Sequence, residues 1–402
     1  PWYCLPGTLH PQEVARLMEY LGAPPDVGYG KRRAELGHPK PWTAVFRHIY
    51  IEFGNEAWNA AGYATGSFNG PDHWKDMITI ARASPYYKPN VVFVAGSQAA
   101  NTYVTRSVLR DVPNSDLVGI APYLMHRLTA DQIAHLKTDD DLFRWVFAYT
   151  IRRAIEPVGR VRQQHQLVQA AGKELAIYEH NFHITGPKVQ DGGVPVARRN
   201  RIIASLGGGL DIINDALLMM RERGIRTQCQ FNLNQRWFSE GVKLWGFVPG
   251  INVRDQRYRP SFLAEEAANK VIHGDMVATR HSGADPRFSA FGYFEDSRRK
   301  PLSYENIPVL WSYAFRDGAT RGLIIFNLDT ASPHDVAIVF RGTSEAATAW
   351  WLTGPSIAAN NEPENGPPQV ALRREVIRPF APGQQLSLPP HSMVALRWKV
   401  VE

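Results

Sequence analysis

The sequence predicts an α/β protein, a βα-barrel of parallel strands over residues 1–275 followed by an antiparallel β-sandwich over 276–402. Three observations predict it. Six short apolar runs alternate with stretches of helical period. Each run is apolar along its whole length, as expected for strands buried on both faces by helices. After about residue 275 the helical period vanishes, and short apolar runs separated by Gly, Pro and Asn turns take over. Six βα units in series favour a barrel over an open doubly wound sheet. No G-x-G-x-x-G or Walker sequence follows any strand, which argues against nucleotide binding.

"PWYCLPGT" opens as a short aromatic and apolar strand ending at Pro6-Gly7. In "LHPQEVARLMEYLG", Pro11 suits a first helical turn, Val14, Leu17, Met18 and Leu21 form one stripe, and Gly22 ends it. The second strand is "IYIEFG", followed by helical "DHWKDMITIARAS". "NVVFVAGS" (90–97) is the third strand, with a helix near 101–110, and "DLVGIAPY" (116–123) is the fourth. One helical stretch then runs from about Leu142 to Ala171, leading to the fifth strand, "ELAIYEHN" (174–181). Helical periodicity over 196–223 persists despite the interruption Gly207-Gly208-Gly209. "IRTQCQFNL" (225–233) is the sixth strand and "PSFLAEEAANKVI" (260–272) a closing helix. Beyond it, "GLIIFNLD", "DVAIVFRG", "ATAWWLTG" and "QLSLPPHSMVALRWKVV" read as sandwich strands, and "AANNEPENGPPQ" (358–369) as a polar loop.

Composition sets the frame. The 44% apolar and 21% charged residues are those of an ordinary globular chain, and 11 Trp, 15 Tyr and 18 Phe give rings that suit sugar faces as well as cores. Net charge is +7, but the basic residues are scattered, so a solvated surface accounts for them better than nucleic acid does. No apolar stretch approaches the roughly 20 residues of a membrane span. Two cysteines, Cys4 and Cys229, allow neither a disulfide framework nor a four-cysteine zinc site. They fall on the first and last barrel strands, which are not neighbours, so both are expected as free, mostly buried thiols.

Catalytic groups of a βα-barrel sit at the C-terminal ends of its strands. Two strands here end in a carboxylate with polar or aromatic company: "IEFGNEAWN" gives Glu56 and "AIYEHNFH" gives Glu179. The chemistry that needs such a pair is glycoside hydrolysis, where one carboxyl holds a proton for the leaving oxygen and the other is ionised to attack. Asn55 is placed to orient substrate hydroxyls, and Tyr178 or Tyr123 to hydrogen-bond the nucleophile. Glu52 is a rival carboxylate within the strand itself, expected to pair with a buried base or to point between strand and helix. Glu179, His180 and His183 do not make a metal site, because H-x-x-H lacks the one-face spacing of H-E-x-x-H. No G-x-S-x-G elbow points to a serine triad. No metal or cofactor is expected.

Together, "GTLHPQEVARLMEYLG…GYGKRRAELGHPKPW…YIEFGNEAWN", "AIYEHNFH", "RPSFLAEEAANKVIHGDMVATRHSG" and "LPPHSMVALRW" resemble the family 51 α-L-arabinofuranosidases and related clan A glycoside hydrolases. The resemblance runs over nearly the whole chain and implies that Glu56 is the general acid/base, Glu179 the nucleophile and Asn55 a sugar-contacting amide. It implies a retaining reaction, with carboxyls about 5 Å apart. It also makes Trp58, Trp237 and Trp245 candidates for a sugar platform, with His183 contacting substrate or packing over the nucleophile. The chain departs from the family in two places near the sugar: Tyr-Glu-His-Asn replaces Asp-Glu-Trp-Asn, and "AWNAAGYATG" follows Glu56.

The family's third strand falls at residue 2, so the resemblance implies a (β/α)8 TIM-type barrel lacking its first two βα units, residues 1–275 carrying strands three to eight. Such a barrel exposes a sheet edge. A second polypeptide, or a missing N-terminal segment, is expected to complete it. The expected substrate is an oligo- or polysaccharide of plant or microbial origin, which by analogy implies an extracellular or periplasmic protein. An endo-β-glycanase of the same clan, or a non-catalytic carbohydrate-binding descendant, are the alternatives.

Overall fold

Short runs rich in β-branched and aromatic residues become six parallel strands, lying side by side in chain order: β1 (Trp2–Leu5), β2 (Ile49–Phe53), β3 (Val91–Gly96), β4 (Leu117–Ile120), β5 (Glu174–His180) and β6 (Gln228–Gln230). The computed structural model describes residues 1–59, 70–125, 127–156, 159–251, 253–293 and 301–401. Helices connect the strands: α1 (Pro11–Gly22), α2 (Gly28–Glu35), α3 (Trp42–Val45), α4 (Gly70–Ala83), α5 (Thr102–Asp111), α6 (Asp139–Ile155), α7 (Arg160–Ala170), α8 (Val196–Ile203), α9 (Leu206–Arg223) and α10 (Pro260–Asn269). The chain forms two compact units. The first holds Pro1–Pro122, Pro157–Glu179 and Ile225–Cys229; the second holds Tyr123–Glu156, His180–Gly224 and Gln230–Glu402.

In the first unit, parallel register sets Trp2 beside Tyr50 and Cys4 beside Glu52, and Glu52 in turn beside Val94. Strand alternation divides the side chains between two faces. Ile49, Ile51 and Phe53 pack with Val91 and Phe93 against Val14, Met18 and Leu21 of α1 and Trp74, Met77 and Ile78 of α4. On the other face Trp2, Tyr50 and Val92 gather around Val94, Leu117 and Ala176. α1 begins with a capping box, in which His10 accepts from Gln12 N (3.3 Å) and Glu13 accepts from His10 N (2.7 Å). β1 stands at one end of the sheet, with Tyr3 48% exposed.

Several elements differ from expectation. α2 and α3 were not legible in the sequence. Arg33 of α2, fully buried, ties that helix to the end of α1 and to the segment that follows it, its guanidinium donating to the carbonyls of Tyr20, Ala23, His38 and Pro39. The stretch 142–171 is two helices, α6 and α7, and 196–223 divides into α8 and α9. Of 225–233, only Gln228–Gln230 is strand.

In the second unit, Ser205 caps α9 by accepting from Gly208 N (3.1 Å). Gly207 and Gly209 are not an interruption. A Cβ at Gly207 would come within 2.4 Å of Phe143 on α6, and one at Gly209 within 2.7 Å of Pro260 on α10, so the glycines let three helices approach closely.

The C-terminal strands are β7 (Asp275–Val277), β8 (Arg287–Tyr293), β9 (Pro301–Pro308), β10 (Leu310–Asp317), β11 (Thr320–Asn327), β12 (His334–Ile338), β13 (Ala347–Thr353), β14 (Ala371–Ile377), β15 (Gln384–Leu388) and β16 (Ser392–Lys399). An antiparallel sheet runs β14-β13-β16-β11-β10-β7, and β12-β15 and β8-β9 form separate pairs. Ile338, Leu386 and Leu388 of the β12-β15 pair share a core with Leu323, Ile325, Trp351, Val394 and Leu396 of the larger sheet.

The loop 358–369 is more than solvated polar chain. Its Glu362 is 3% exposed and pairs with Arg259 (2.6 Å) and Lys243 (3.1 Å). Arg259 also donates to the carbonyls of Lys243 and Arg236, and Asn361 to those of Tyr258 and Val370.

Candidate active site

Glu56 stands three residues beyond β2, in a turn that the sequence Gly54-Asn55-Glu56 builds from positive φ at Gly54 (85°) and Glu56 (48°). A glutamate in the left-handed region costs about 1 kcal/mol or more and persists only where surroundings hold it. Here Gly54 N donates to Leu5 O (2.7 Å) and Asn59 N to Glu56 O (2.7 Å), tying both ends of the turn. Asn55, Glu56 and Trp58 are all half-buried. From residue 60, the "AWNAAGYATG" segment lies outside the described residues.

Tyr178 comes up from β5 beneath this turn. Its hydroxyl accepts from Trp58 Nε1 (3.3 Å) and lies 3.5 Å from Glu56 Oε1 and 3.3 Å from the Ser97 carbonyl. Of the two tyrosines expected near the nucleophile, Tyr178 places its hydroxyl at Glu56. Burial raises the Tyr178 phenol well above its usual range, with Glu56, Glu52 and Glu179 adding to the shift against the Trp58 hydrogen bond. Glu179, next along β5, is half-buried. Burial raises Glu56 above its ordinary value, while hydrogen bonds from Asn59 and Tyr178 pull it down.

Beneath lies Glu52, 2% exposed. Among the described residues no base pairs with it. Its one hydrogen bond is to Oε2, from the neutral indole Nε1 of Trp2 (3.1 Å), and burial pushes its carboxyl up to about 8, with Glu179 and Glu56 adding to the rise. Strand alternation puts positions 50 and 52 on the apolar face that carries Trp2, Val92 and Val94. Cys4, across from Glu52, is an exposed residue of the edge strand rather than the buried one expected. Its thiol is pushed up to about 12, by the protein packed on one side of it, then by Glu52 and Glu179, so it is a poor nucleophile. Trp2, Cys4, Gly96 and Ser97 were not singled out from the sequence as parts of this site; only pairing across β1, β2 and β3 brings them to it.

In the second unit, Tyr123, His183 and Trp245 stack in series, with ring centroids 4.5 Å apart for Tyr123–His183 and 5.3 Å for His183–Trp245. Phe231 and Phe238 close against Trp245 at 5.3 and 5.0 Å. Trp237 does not join the stack by ring contact. It is 51% exposed, with Arg236 Cζ 4.5 Å and Lys243 Nζ 5.7 Å from its ring centroid. His180, the residue after Glu179, gives Nε2 to Asp215 (2.8 Å), which also holds Arg153 (2.8 Å). Burial works against the Asp215 charge, but Arg153 and His180 hold its carboxyl below the usual range. Among the described residues no group of three or more His, Cys, Asp or Glu is arranged to hold a metal ion.

Half-buried carboxyls of this kind can exchange protons with a bound molecule, and a pair with one raised carboxyl can divide acid and base roles. Compared with known proteins, the chain matches no family model and none of the curated sequences. Solved structures do resemble it. The α-L-arabinofuranosidase of Thermotoga maritima in its arabinose complex is similar with a TM-score of 0.64 and 19% identity, over 98% of this chain and 74% of that one. A family 51 α-L-arabinofuranosidase from Bifidobacterium longum gives 0.61 and 15% over the same shares, and one from Xanthomonas axonopodis pv. citri gives 0.59 and 15% over the same shares. At these identities the likeness establishes the fold, a parallel-stranded barrel-type sheet with an antiparallel sheet domain.

Proposed function

We propose that this chain is a retaining glycoside hydrolase of the α-L-arabinofuranosidase type, with Glu56 as general acid/base and Glu179 as nucleophile. The observation that supports the reading is the Glu56 carboxyl standing 3.5 Å from the hydroxyl of Tyr178, the β5 residue just before Glu179, in a fold similar to that of arabinofuranosidases. Glu56, lifted by burial, holds the proton. It passes that proton to the glycosidic oxygen as the Glu179 carboxylate attacks the anomeric carbon and the bond to the leaving group breaks. Water then gives a proton to the Glu56 carboxylate while its oxygen displaces Glu179, restoring both groups with the original anomeric configuration. Asn55 and Trp58, on the Glu56 turn, contact the sugar in this reading, and the Tyr123–His183–Trp245 stack is a sugar-facing surface of its own unit. The substrate is an oligo- or polysaccharide, and the protein acts outside the cytoplasm.

The reading includes a partner for the sheet edge. β1 has no neighbour on its outer side among the described residues, and Tyr3 and Cys4 are exposed there. A further parallel strand, from a second polypeptide or a preceding segment of the same protein, pairs with it and covers the edge.

Glu56→Gln and Glu179→Gln, assayed separately on a panel of aryl glycosides, test the roles. Glu179→Gln is expected to abolish turnover with every leaving group. Glu56→Gln is expected to lose most activity on poor leaving groups and to retain more on activated ones, which need less protonation. Unchanged turnover in both variants refutes the assignment, and a parent that binds sugar without cleaving it makes the protein a carbohydrate-binding one.

A further inference from the structure

Three carboxyls act on one another in the first unit, and only two have a role in the proposed reaction. We propose that the third, Glu52, is a positioning residue that stays un-ionised in the folded protein, so that the cluster's negative charge rests on Glu179; this rests on the glycosidase reading above.

The geometry carries it. Glu52 is 2% exposed, and its one hydrogen bond among the described residues, from Trp2 Nε1 to Oε2, comes from a neutral donor. Oε1 has no hydrogen-bond partner among the described residues. It sits over Gly96 of β3, where a Cβ would stand 2.7 Å from it, and the next nearest group there is Trp58 Cδ1. The described residues thus keep a slot for this carboxyl without supplying a cation to it. The titratable groups acting on it are Cys4 from β1, Glu56 from the turn after β2, and Tyr178 and Glu179 from β5, every one neutral or anionic. β3 contributes none, offering Val94 and Gly96.

A sealed carboxylate without a cation is far more costly than a sealed carboxylic acid. Neighbouring carboxyls cannot all ionise together, and the proton settles on the one with least access to water. Glu56 and Glu179 are half-buried, and Glu52 is closed off. A charge on Glu52 would disfavour a second charge on Glu179. The proton on Glu52 removes that interference.

Infrared difference spectra of the whole protein, parent minus Glu52→Gln, read the protonation state directly and need no turnover. At neutral pH a protonated-carboxyl carbonyl band is expected in the parent and not in the variant. It should disappear from the parent only on alkaline titration. Trp2→Phe removes the sole donor to the charged form, and the pH at which the band disappears is expected to move up. The acid limb of kcat/KM, set by Glu179, is expected at the same pH in parent and Glu52→Gln. A parent without that band at neutral pH, or an acid limb displaced by about a pH unit or more toward acid in Glu52→Gln, overturns the proposal, because a charge would then have been removed from beside Glu179. Should Glu56→Gln and Glu179→Gln leave turnover untouched, the catalytic reading fails, while the infrared result still reports on Glu52.

Discussion

Tyr178→Phe removes one oxygen on which three groups depend. The hydroxyl accepts from Trp58 Nε1 at 3.3 Å, and its proton is shared between the Ser97 carbonyl at 3.3 Å and Glu56 Oε1 at 3.5 Å. A well-made hydrogen bond to a charged group contributes about 1.5–3 kcal/mol. This one is long, and Glu56 is half in water, which screens it, so about 0.7–1.4 kcal/mol is a reasonable share. The bond favours the ionised form of Glu56, together with one from Asn59. Its loss therefore raises the Glu56 carboxyl. Because the proposed acid must carry its proton, the alkaline limb of kcat/KM should move up with it. The same substitution leaves the Trp58 indole without its acceptor, at about 1 kcal/mol of stability measured by urea unfolding. The assay is a pH profile of kcat/KM on one aryl glycoside for parent and variant. An alkaline limb that stays put or moves toward acid refutes both the role of Glu56 and the direction of the Tyr178 contact.

Other perturbations test other parts of the structure. Gly96→Ala puts a methyl group 2.7 Å from Glu52 Oε1 and should cost about 1–3 kcal/mol in urea unfolding. Adding Glu52→Asp, which withdraws the carboxyl, should recover part of that loss as a non-additive term in a double-mutant cycle. Glu362→Gln leaves buried Arg259 and Lys243 without their shared carboxylate, and a loss of about 3–5 kcal/mol is expected in the same unfolding assay. Glu265, on α10, is pushed up to about 7 by burial alone. A carboxyl raised in the folded state makes stability fall as pH rises from the unfolded value through the folded one, from roughly 4.5 to 7. Glu265→Gln should therefore stabilise the protein by about 3 kcal/mol above pH 7 and not at pH 4, as read from thermal unfolding at each pH.

The parallel strands were legible because their signal is local. Runs such as "VVFVAG" have no polar residue to place on a wet face, and β3 occupies Val91–Gly96 accordingly. Glu56 and Glu179 stood out for the same reason, as carboxylates where apolar runs end. What the sequence hid is what depends on partners distant in the chain. Arg33 reads as one more surface charge in "GYGKRRAE", yet four backbone carbonyls bury it. Glu362 reads as loop polarity, yet Arg259, more than a hundred residues earlier, makes it part of the interior. The triple glycine looks like a helix breaker until Phe143 and Pro260 are found against it. Glu52 was expected to find a base because that is the usual remedy for a buried carboxylate. Its actual companions, an indole and a glycine slot, lie on two other strands.

Trp2 hangs from the outermost strand of its sheet, and its indole is the only protein hydrogen-bond donor that Glu52 has among the described residues. Any chain that zips alongside that strand would stiffen the tryptophan and thereby adjust how tightly a buried acid grips its hydrogen ion. Quaternary assembly and acid–base behaviour would then be one property seen from two sides, and a partner could retune the chemistry without ever touching a sugar.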